Sequence, residues 1–168
     1  MPWVLRDVVA FDDVLEIGPG PGLTTDSLRH WAAKLTVIEI DPALAVALRT
    51  RLAGTNVEVV TGDATAMPFA DGRFSSVVSF TMLHHVPSVQ QQDQVLAEAF
   101  RVLRPGGTFA GSDSTVSFVF RLAHLFDTMV VVDPDSFGAR LASVGFAETD
   151  VVKGEGAFRF RARRPSAV

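Results

Sequence analysis

Short continuous apolar runs alternate along the chain with longer stretches in which apolar residues recur every three or four positions, the mark of buried strands alternating with helices. "DVLEIG" (13–18) reads as a strand and "GLTTDSLRHWAA" (22–33) as a helix. "LTVIEI" (35–40) predicts a second strand, and "DPALAVALRTRLA" (41–53) a helix with Asp41 at its cap and Pro42 in its first turn. "NVEVVTG" (56–62) and "SSVVSF" (75–80) predict the third and fourth strands. "QQQDQVLAEAFRVL" (90–103) gathers Val95, Leu96, Ala99, Val102 and Leu103 on one helical face, then stops at Pro105 and Gly106, which cannot continue it. A fifth strand, "GTFAGSD" (107–113), and a capped helix, "DPDSFGARLASVG" (133–145), follow. "FAETDVVKG" (146–154) and "AFRFRARR" (157–164), joined through Gly-Glu-Gly, predict a closing antiparallel hairpin.

This alternation predicts an α/β fold of three layers, a mostly parallel sheet between two layers of helices. A length of 168 residues fits one domain, 1–168. The net charge of -4 gives no electrostatic footprint for a polyanion, so no nucleic-acid partner is expected. Cysteine is absent, which removes disulfides, thiolate metal sites and cysteine nucleophiles, and no metal site is expected. The first residues lack a charged region followed by a long apolar one, so a cytoplasmic protein is the default. "VSFVFRLAHLFDTMVVV" (116–132) approaches the length of a membrane span, but Arg121, His124 and Asp127 argue against stable insertion.

The stretch "VLEIGPGPGLTTDSL" (14–28) carries the chemistry. Gly18, Gly20 and Gly22, with Pro19 between the first two, lie in the first strand-to-helix turn, where ligands of open parallel sheets bind. A tight turn without a ligand is the plain alternative. The spacing E-x-G-x-G-x-G departs from the dinucleotide fingerprint G-x-G-x-x-G. Glu16 beneath such a loop repels a pyrophosphate and suits a cationic ligand. At the end of the second strand, Glu39 can accept hydrogen bonds from both hydroxyls of a ribose, with Ile40 beside it. Asp41 competes for that role but is better explained as a helix cap.

On these residues the chain resembles the class I S-adenosylmethionine-dependent methyltransferases over nearly its whole length. "VLEIGPGPG" is similar to that family's first motif, "VIEID" to its ribose-binding motif, and "TGDATAMPFADGRF" to the segment whose Asp63 and Ala64 contact adenine. "SSVVSFTMLHHVP" resembles its fourth strand and following loop, and "EAFRVLRPGGTF" the entry to its fifth. The resemblance implies a Rossmann-like doubly wound sheet of seven strands in the order 3-2-1-4-5-7-6, with strand 7 antiparallel. It also implies S-adenosylmethionine as cofactor, with S-adenosylhomocysteine as product. Phe80 is expected to line the cofactor pocket and Met67 to flank the adenine ring, while a turn cap is the alternative role for Asp63. "AMPFADGRF", "MLHHV" and "RVLRPGG" are closest to the branch that methylates quinone precursors and other small lipophilic molecules.

Methyl transfer from a sulfonium is an in-line displacement, for which a general base is optional. His84 and His85 follow the fourth strand, on the rim where an acceptor would sit, and His85 is preferred as the base. The bland reading has one histidine capping the loop and the other exposed. Enzymes of this fold that methylate nucleobase amines resemble one another in a polar residue, two prolines and an aromatic after strand four. This chain has "SFTM" (79–82) there, although "IGPGPGLTT" and "VIEIDP" resemble the ribosomal-RNA adenine dimethylating enzymes. Residues 114–132 lie where the resembled family carries a substrate lid, and they are expected to form either an apolar lid, with Arg121, His124 and Asp127 as a polar stripe, or a core-packing helix.

Two departures qualify the resemblance. Phe74-Ser75 replaces the usual Phe-Asp, so a local hydrogen bond is expected to be lost. About 12 residues precede the first strand, leaving an open site, a cover from a second subunit in a homodimer, or an incomplete chain. Arg159, Arg161, Arg163 and Arg164 are expected to form a solvated strand face. A non-catalytic S-adenosylmethionine-binding module and a nicotinamide-dependent oxidoreductase are the rival readings.

Overall fold

The structure, a computed structural model, describes residues 11–115 and 129–166. Seven strands form one sheet: β1 (Asp13–Ile17), β2 (Lys34–Glu39), β3 (Val57–Thr61), β4 (Phe74–Phe80), β5 (Leu103–Ser114), β6 (Ala147–Lys153) and β7 (Ala157–Arg163). Their order is β3-β2-β1-β4-β5-β7-β6. β1 to β5 pair in parallel, and β7 runs antiparallel to both β5 and β6. This is the order that the resemblance implied. The helices are α1 (Leu23–Leu28), α2 (Pro42–Arg51), α3 (Val89–Val102) and α4 (Pro134–Val144). The expected lid residues Arg121, His124 and Asp127 lie outside the described residues.

Strand periodicity sends successive side chains to opposite faces, and the core divides accordingly. Leu15, Val77 and Phe109 join one cluster with Leu96, Ala99 and Val102 of α3 and Phe137 and Leu141 of α4. Val14, Val78 and Ala110 join the other, closed by Leu28 of α1 and Ala32. Central parallel strands buried on both faces need apolar residues at successive positions, as Val14-Leu15 of β1 and Val77-Val78 of β4 supply. Among the described residues, no helix is long and apolar enough to cross a membrane.

Three local expectations change. The helix expected at 22–33 ends at Leu28, because the amides of Ala33 and Lys34 donate to the carbonyls of Phe11 (2.7 Å) and Asp12 (2.8 Å) and draw the chain into β2. β5 begins at Leu103, opposite Phe74, and a register shift between Phe74 and Ser76 absorbs the Pro-Gly-Gly stretch. Ser75 brackets β1, its hydroxyl donating to the Asp13 carbonyl (2.9 Å) and accepting from the Asp13 amide (3.2 Å). The Phe-Asp departure therefore leaves this position hydrogen-bonded.

Arg164 also departs from the expected solvated face. Its Nη1 donates to the carbonyls of Phe100 (2.9 Å), Arg101 (3.0 Å) and Leu103 (2.6 Å), groups that the end of α3 leaves without helical donors. Its guanidinium carbon lies 4.7 Å from the centre of the Phe100 ring. Arg163, by contrast, is 39% exposed and reaches Glu148 only at 3.9 Å. Arg164→Ala is expected to lower the unfolding free energy by about 2 kcal/mol, since hydrogen bonds from charged donors are lost. Arg163→Ala should stay within about 0.5 kcal/mol. Urea denaturation of both variants checks the contrast, and equal losses would remove the assigned role of Arg164.

Candidate active site

The three glycines after β1 all take left-handed backbone, with φ of 61° at Gly18, 54° at Gly20 and 85° at Gly22. Their surroundings differ. A Cβ at Gly18 would lie 2.3 Å from Met82 Cγ, and one at Gly22 would lie 2.5 Å from both Leu48 Cδ2 and Arg51 Nη2. A Cβ at Gly20 would meet nothing within 4 Å. Gly18 therefore lets the turn after β4 cross the loop, and Gly22 lets α2 pack against it. Gly18, Pro19 and Gly20 line the adjoining cavity, whereas Gly22 does not, so its place is in packing rather than in ligand approach.

Glu16 is also set back from the cavity. It is 1% exposed, and it accepts hydrogen bonds from the hydroxyls of Thr24 and Thr25, the latter at 2.6 Å. Burial pushes its carboxyl above the usual range, the two hydroxyl donors oppose that shift, and the nearby Asp26 charge adds to it. The expected carboxylate facing a cationic ligand is thus screened, and of these three residues only Thr24 reaches the cavity wall.

Glu39 ends β2 and ties two loops together. One carboxylate oxygen accepts from the Gly20 amide (3.0 Å) and the other from the Asp41 amide (3.0 Å). Each oxygen keeps acceptor capacity for a ligand hydroxyl. Asp41 instead caps α2, accepting from the amides of Ala43 (2.7 Å) and Leu44 (3.2 Å). The two competing acidic residues therefore separate by position, with Glu39 on the cavity wall and Asp41 off it. Ile40 and Leu23, 67% and 79% exposed, form an apolar lip with Leu44.

Asp63 and Ala64 line the same cavity beyond β3. The Asp63 Oδ1 atom accepts from the amide and the hydroxyl of Thr65, both at 2.8 Å, so the residue closes a turn as well as facing the cavity. Met67 is buried in the core rather than set against the cavity. Arg101 of α3 holds this loop, donating to the carbonyls of Phe69 (2.7 Å) and Met67 (3.0 Å). Its hydrogen bond holds the Glu98 carboxyl below the usual range, and Glu98 in turn accepts from the Met67 amide (2.6 Å).

The cavity encloses about 620 Å³ and continues past Phe80 to a second wall of Met82, His85, Val86, Pro87 and Val95. Thr81 joins the two halves with φ 53°, a conformation that costs a β-branched residue about 1–3 kcal/mol. Its amide donates to the Ser112 carbonyl (2.8 Å), and the turn places Met82 over Gly18. No sequence signal marks Thr81, whereas the hydroxyls of Thr24 and Thr25 beside a buried Glu16 could have been paired in advance. The two histidines part company. His84 is buried against Asp113 and lies off the cavity, while His85 is exposed and lines it. Among the described residues, no cluster of three His, Cys, Asp or Glu could hold a metal.

Residues 15–111 match the family model described as a methyltransferase domain, more than half of the chain. The chain belongs to the methyltransferase domain family. A protein of Mycolicibacterium smegmatis named "Probable S-adenosylmethionine-dependent methyltransferase" is 34% identical over 97 residues, 58% of this chain and 36% of its own. The "Probable ribosomal RNA small subunit methyltransferase A" of Thermococcus onnurineus is 46% identical over 68 residues, 40% of this chain and 24% of its own. The demethylmenaquinone methyltransferase of Renibacterium salmoninarum is 34% identical over 94 residues, 56% of this chain and 38% of its own. The chain thus spans well under half the length of these curated relatives. A solved S-adenosylmethionine-dependent methyltransferase of Methanosarcina mazei shares the fold, with a TM-score of 0.78 at 18% identity and 99% of each chain covered.

The cofactor of the methyltransferase domain is S-adenosylmethionine, and the cavity's donor set fits it. Gly20 leaves open space where any side chain would intrude, and Glu39 presents a carboxylate. Among the described lining residues there is no lysine or arginine to meet a pyrophosphate. The methyltransferase domain also carries a pH signature. Glu16 holds its proton more tightly folded than unfolded, so as pH rises above the ordinary carboxyl value of 4.5 the unfolded chain releases its proton first. Stability from this group falls with rising pH, by at most about 1.4 kcal/mol per pH unit. In thermal melts between about pH 4 and pH 7, Glu16→Gln is expected to gain on the parent protein as pH rises. A difference that stays constant across that range would contradict the assignment.

Proposed function

We propose that this chain is an S-adenosylmethionine-dependent methyltransferase domain acting on a small, lipophilic acceptor by in-line transfer. One observation carries the reading. A cavity half with the Glu39 carboxylate and no basic side chain opens directly onto an apolar half whose only titratable lining group among the described residues is His85.

When bound, S-adenosylmethionine supplies an electrophilic methyl carbon on a sulfonium and leaves as S-adenosylhomocysteine. Glu39 accepts the ribose hydroxyls, and the open space at Gly20 admits the ligand against the backbone. Asp63 has Oδ2 for the adenine amine, with Ala64, Ile40 and Phe80 as apolar neighbours. Met82, Val86 and Pro87 exclude water from the acceptor and hold it in line, an effect that reaches about 10⁵ to 10⁸ M in effective concentration. For a hydroxyl acceptor, a ring nitrogen of His85 takes the hydroxyl proton as the oxygen attacks, and passes it to the solvent that the exposed ring meets.

The ribosomal RNA relative supports a second reading, methylation of a nucleobase amine. Against it stand Phe80, Thr81 and Met82 at the turn, the net charge of -4 and the lack of basic lining residues. Calorimetric titration with S-adenosylhomocysteine beside NAD, followed by acceptor assays with lipophilic phenols, quinols and small-subunit ribosomal RNA, decides among the readings. Saturable binding of S-adenosylhomocysteine alone and turnover of a phenol or quinol are expected. Binding of NAD alone would overturn the cofactor, turnover of RNA alone would overturn the acceptor class, and binding without turnover would leave a non-catalytic module. Glu39→Ala should weaken S-adenosylhomocysteine binding by about 10- to 150-fold, the worth of one hydrogen bond to a charged group. His85→Gln should lower kcat by about 100-fold at unchanged cofactor affinity.

A further inference from the structure

The most tightly enclosed ionisable pair in the described structure lies directly behind the acceptor wall. Asp113 is the penultimate residue of β5 with its side chain fully buried, and His84 sits in the short 3₁₀ turn Leu83–His85 that follows β4. The Asp113 Oδ1 atom faces His84 Nδ1 and accepts from the Ser114 amide (2.7 Å), while Oδ2 accepts from the His84 amide (3.3 Å). A carboxylate here calls for a proton on Nδ1, which fixes the tautomer of a neutral His84 ring.

The turn is also held from its other side. The Val130 amide donates to the His84 carbonyl (3.1 Å), and Gln92 Nε2 donates to the carbonyls of Leu83 (3.1 Å) and Val130 (2.7 Å). Apolar residues would hold a buried turn at least as cheaply as a desolvated carboxylate and imidazole. What the pair adds is an oriented ring. The centre of the His84 ring lies 4.1 Å from that of His85, with 40° between the planes. His85 is the group that faces the cavity.

We propose that Asp113 and His84 are positioning residues for His85. The carboxylate fixes the plane of the His84 ring, and contact with that ring fixes the orientation of His85 toward the acceptor. This rests on the reading of His85 as the proton acceptor under the proposed function, but the orientation itself can be read without activity.

The test follows the His85 ring signals by NMR, assigned by their loss in His85→Gln, in the parent protein and in Asp113→Asn. The substitution keeps the size of the side chain but replaces one carboxylate oxygen by an amide nitrogen, a donor where the His84 ring and amide need acceptors. The His85 signals are expected to move toward those of a freely rotating histidine, and kcat to fall by about tenfold, with cofactor and acceptor affinity within about twofold. Should Asp113→Asn fail to fold, the double variant His84→Phe with Asp113→Val replaces the buried pair by apolar groups, and the same change in the His85 signals is expected. Unchanged His85 signals in the folded variant overturn the proposal, whether or not kcat falls. If His85→Gln retains full kcat, the base assignment fails separately, and a moved His85 signal still supports the positioning.

Discussion

The geometry of the cavity depends on one carboxylate. Glu39, 5% exposed at the end of β2, accepts from the amides of Gly20 and Asp41 at 3.0 Å each, and so joins the glycine loop to the start of α2. In a parallel sheet the loops at the carboxyl ends of neighbouring strands have no ladder to hold them. Here the β1 and β2 loops are held by charge-assisted hydrogen bonds from backbone amides, which are stronger than neutral ones. Glu16 plays the complementary part below, anchoring Thr24 and Thr25 of α1 against β1. This half of the cavity is thus backbone shaped by two carboxyl groups, one facing the cavity and one hidden beneath it.

The two cavity halves are mechanically joined because Met82 fills the space that a Gly18 side chain would take. That contact requires the chain to turn sharply after β4, and Thr81 accepts left-handed backbone to make it. A cost of about 1–3 kcal/mol at such a residue persists only where the surroundings fix it. The Ser112 carbonyl, on the Thr81 amide at 2.8 Å, is one such constraint. Movement of the glycine loop would therefore be felt at the second wall of the cavity, where Met82 stands beside His85.

The fold was legible because its signals are local. β1 and β4 carry apolar residues on both faces, Asp41 and Pro42 announce α2, and Gly-Glu-Gly announces the β6–β7 hairpin. What escaped was set by long-range partners. The Phe11 carbonyl, which takes the Ala33 amide, ended α1 early, and the carbonyls at the end of α3 claimed Arg164. The same holds in the site. Glu39 stood out by its place after an apolar run, but Gly22 looked like Gly20 until α2 packed against it. Met67 looked like a neighbour of adenine until the core enclosed it, and two adjacent histidines showed nothing of which one Asp113 would bury.

The relatives carry names that differ in acceptor, a ribosomal RNA in one and a demethylmenaquinone in another, and the two walls of the cavity are built differently. The family match runs from residue 15 to 111, through the glycine loop, Glu39 and Asp63, and stops before Asp113. Much of the wall around Gly20 and Glu39 is made by main-chain amides, left-handed glycines and a buried carboxyl group, where few residue types satisfy the geometry. The second wall is made instead by side chains such as Met82, Val86 and Pro87, of which Met82 and Val86 also pack with the core. Within that second wall His85 is the only titratable group among the described lining residues.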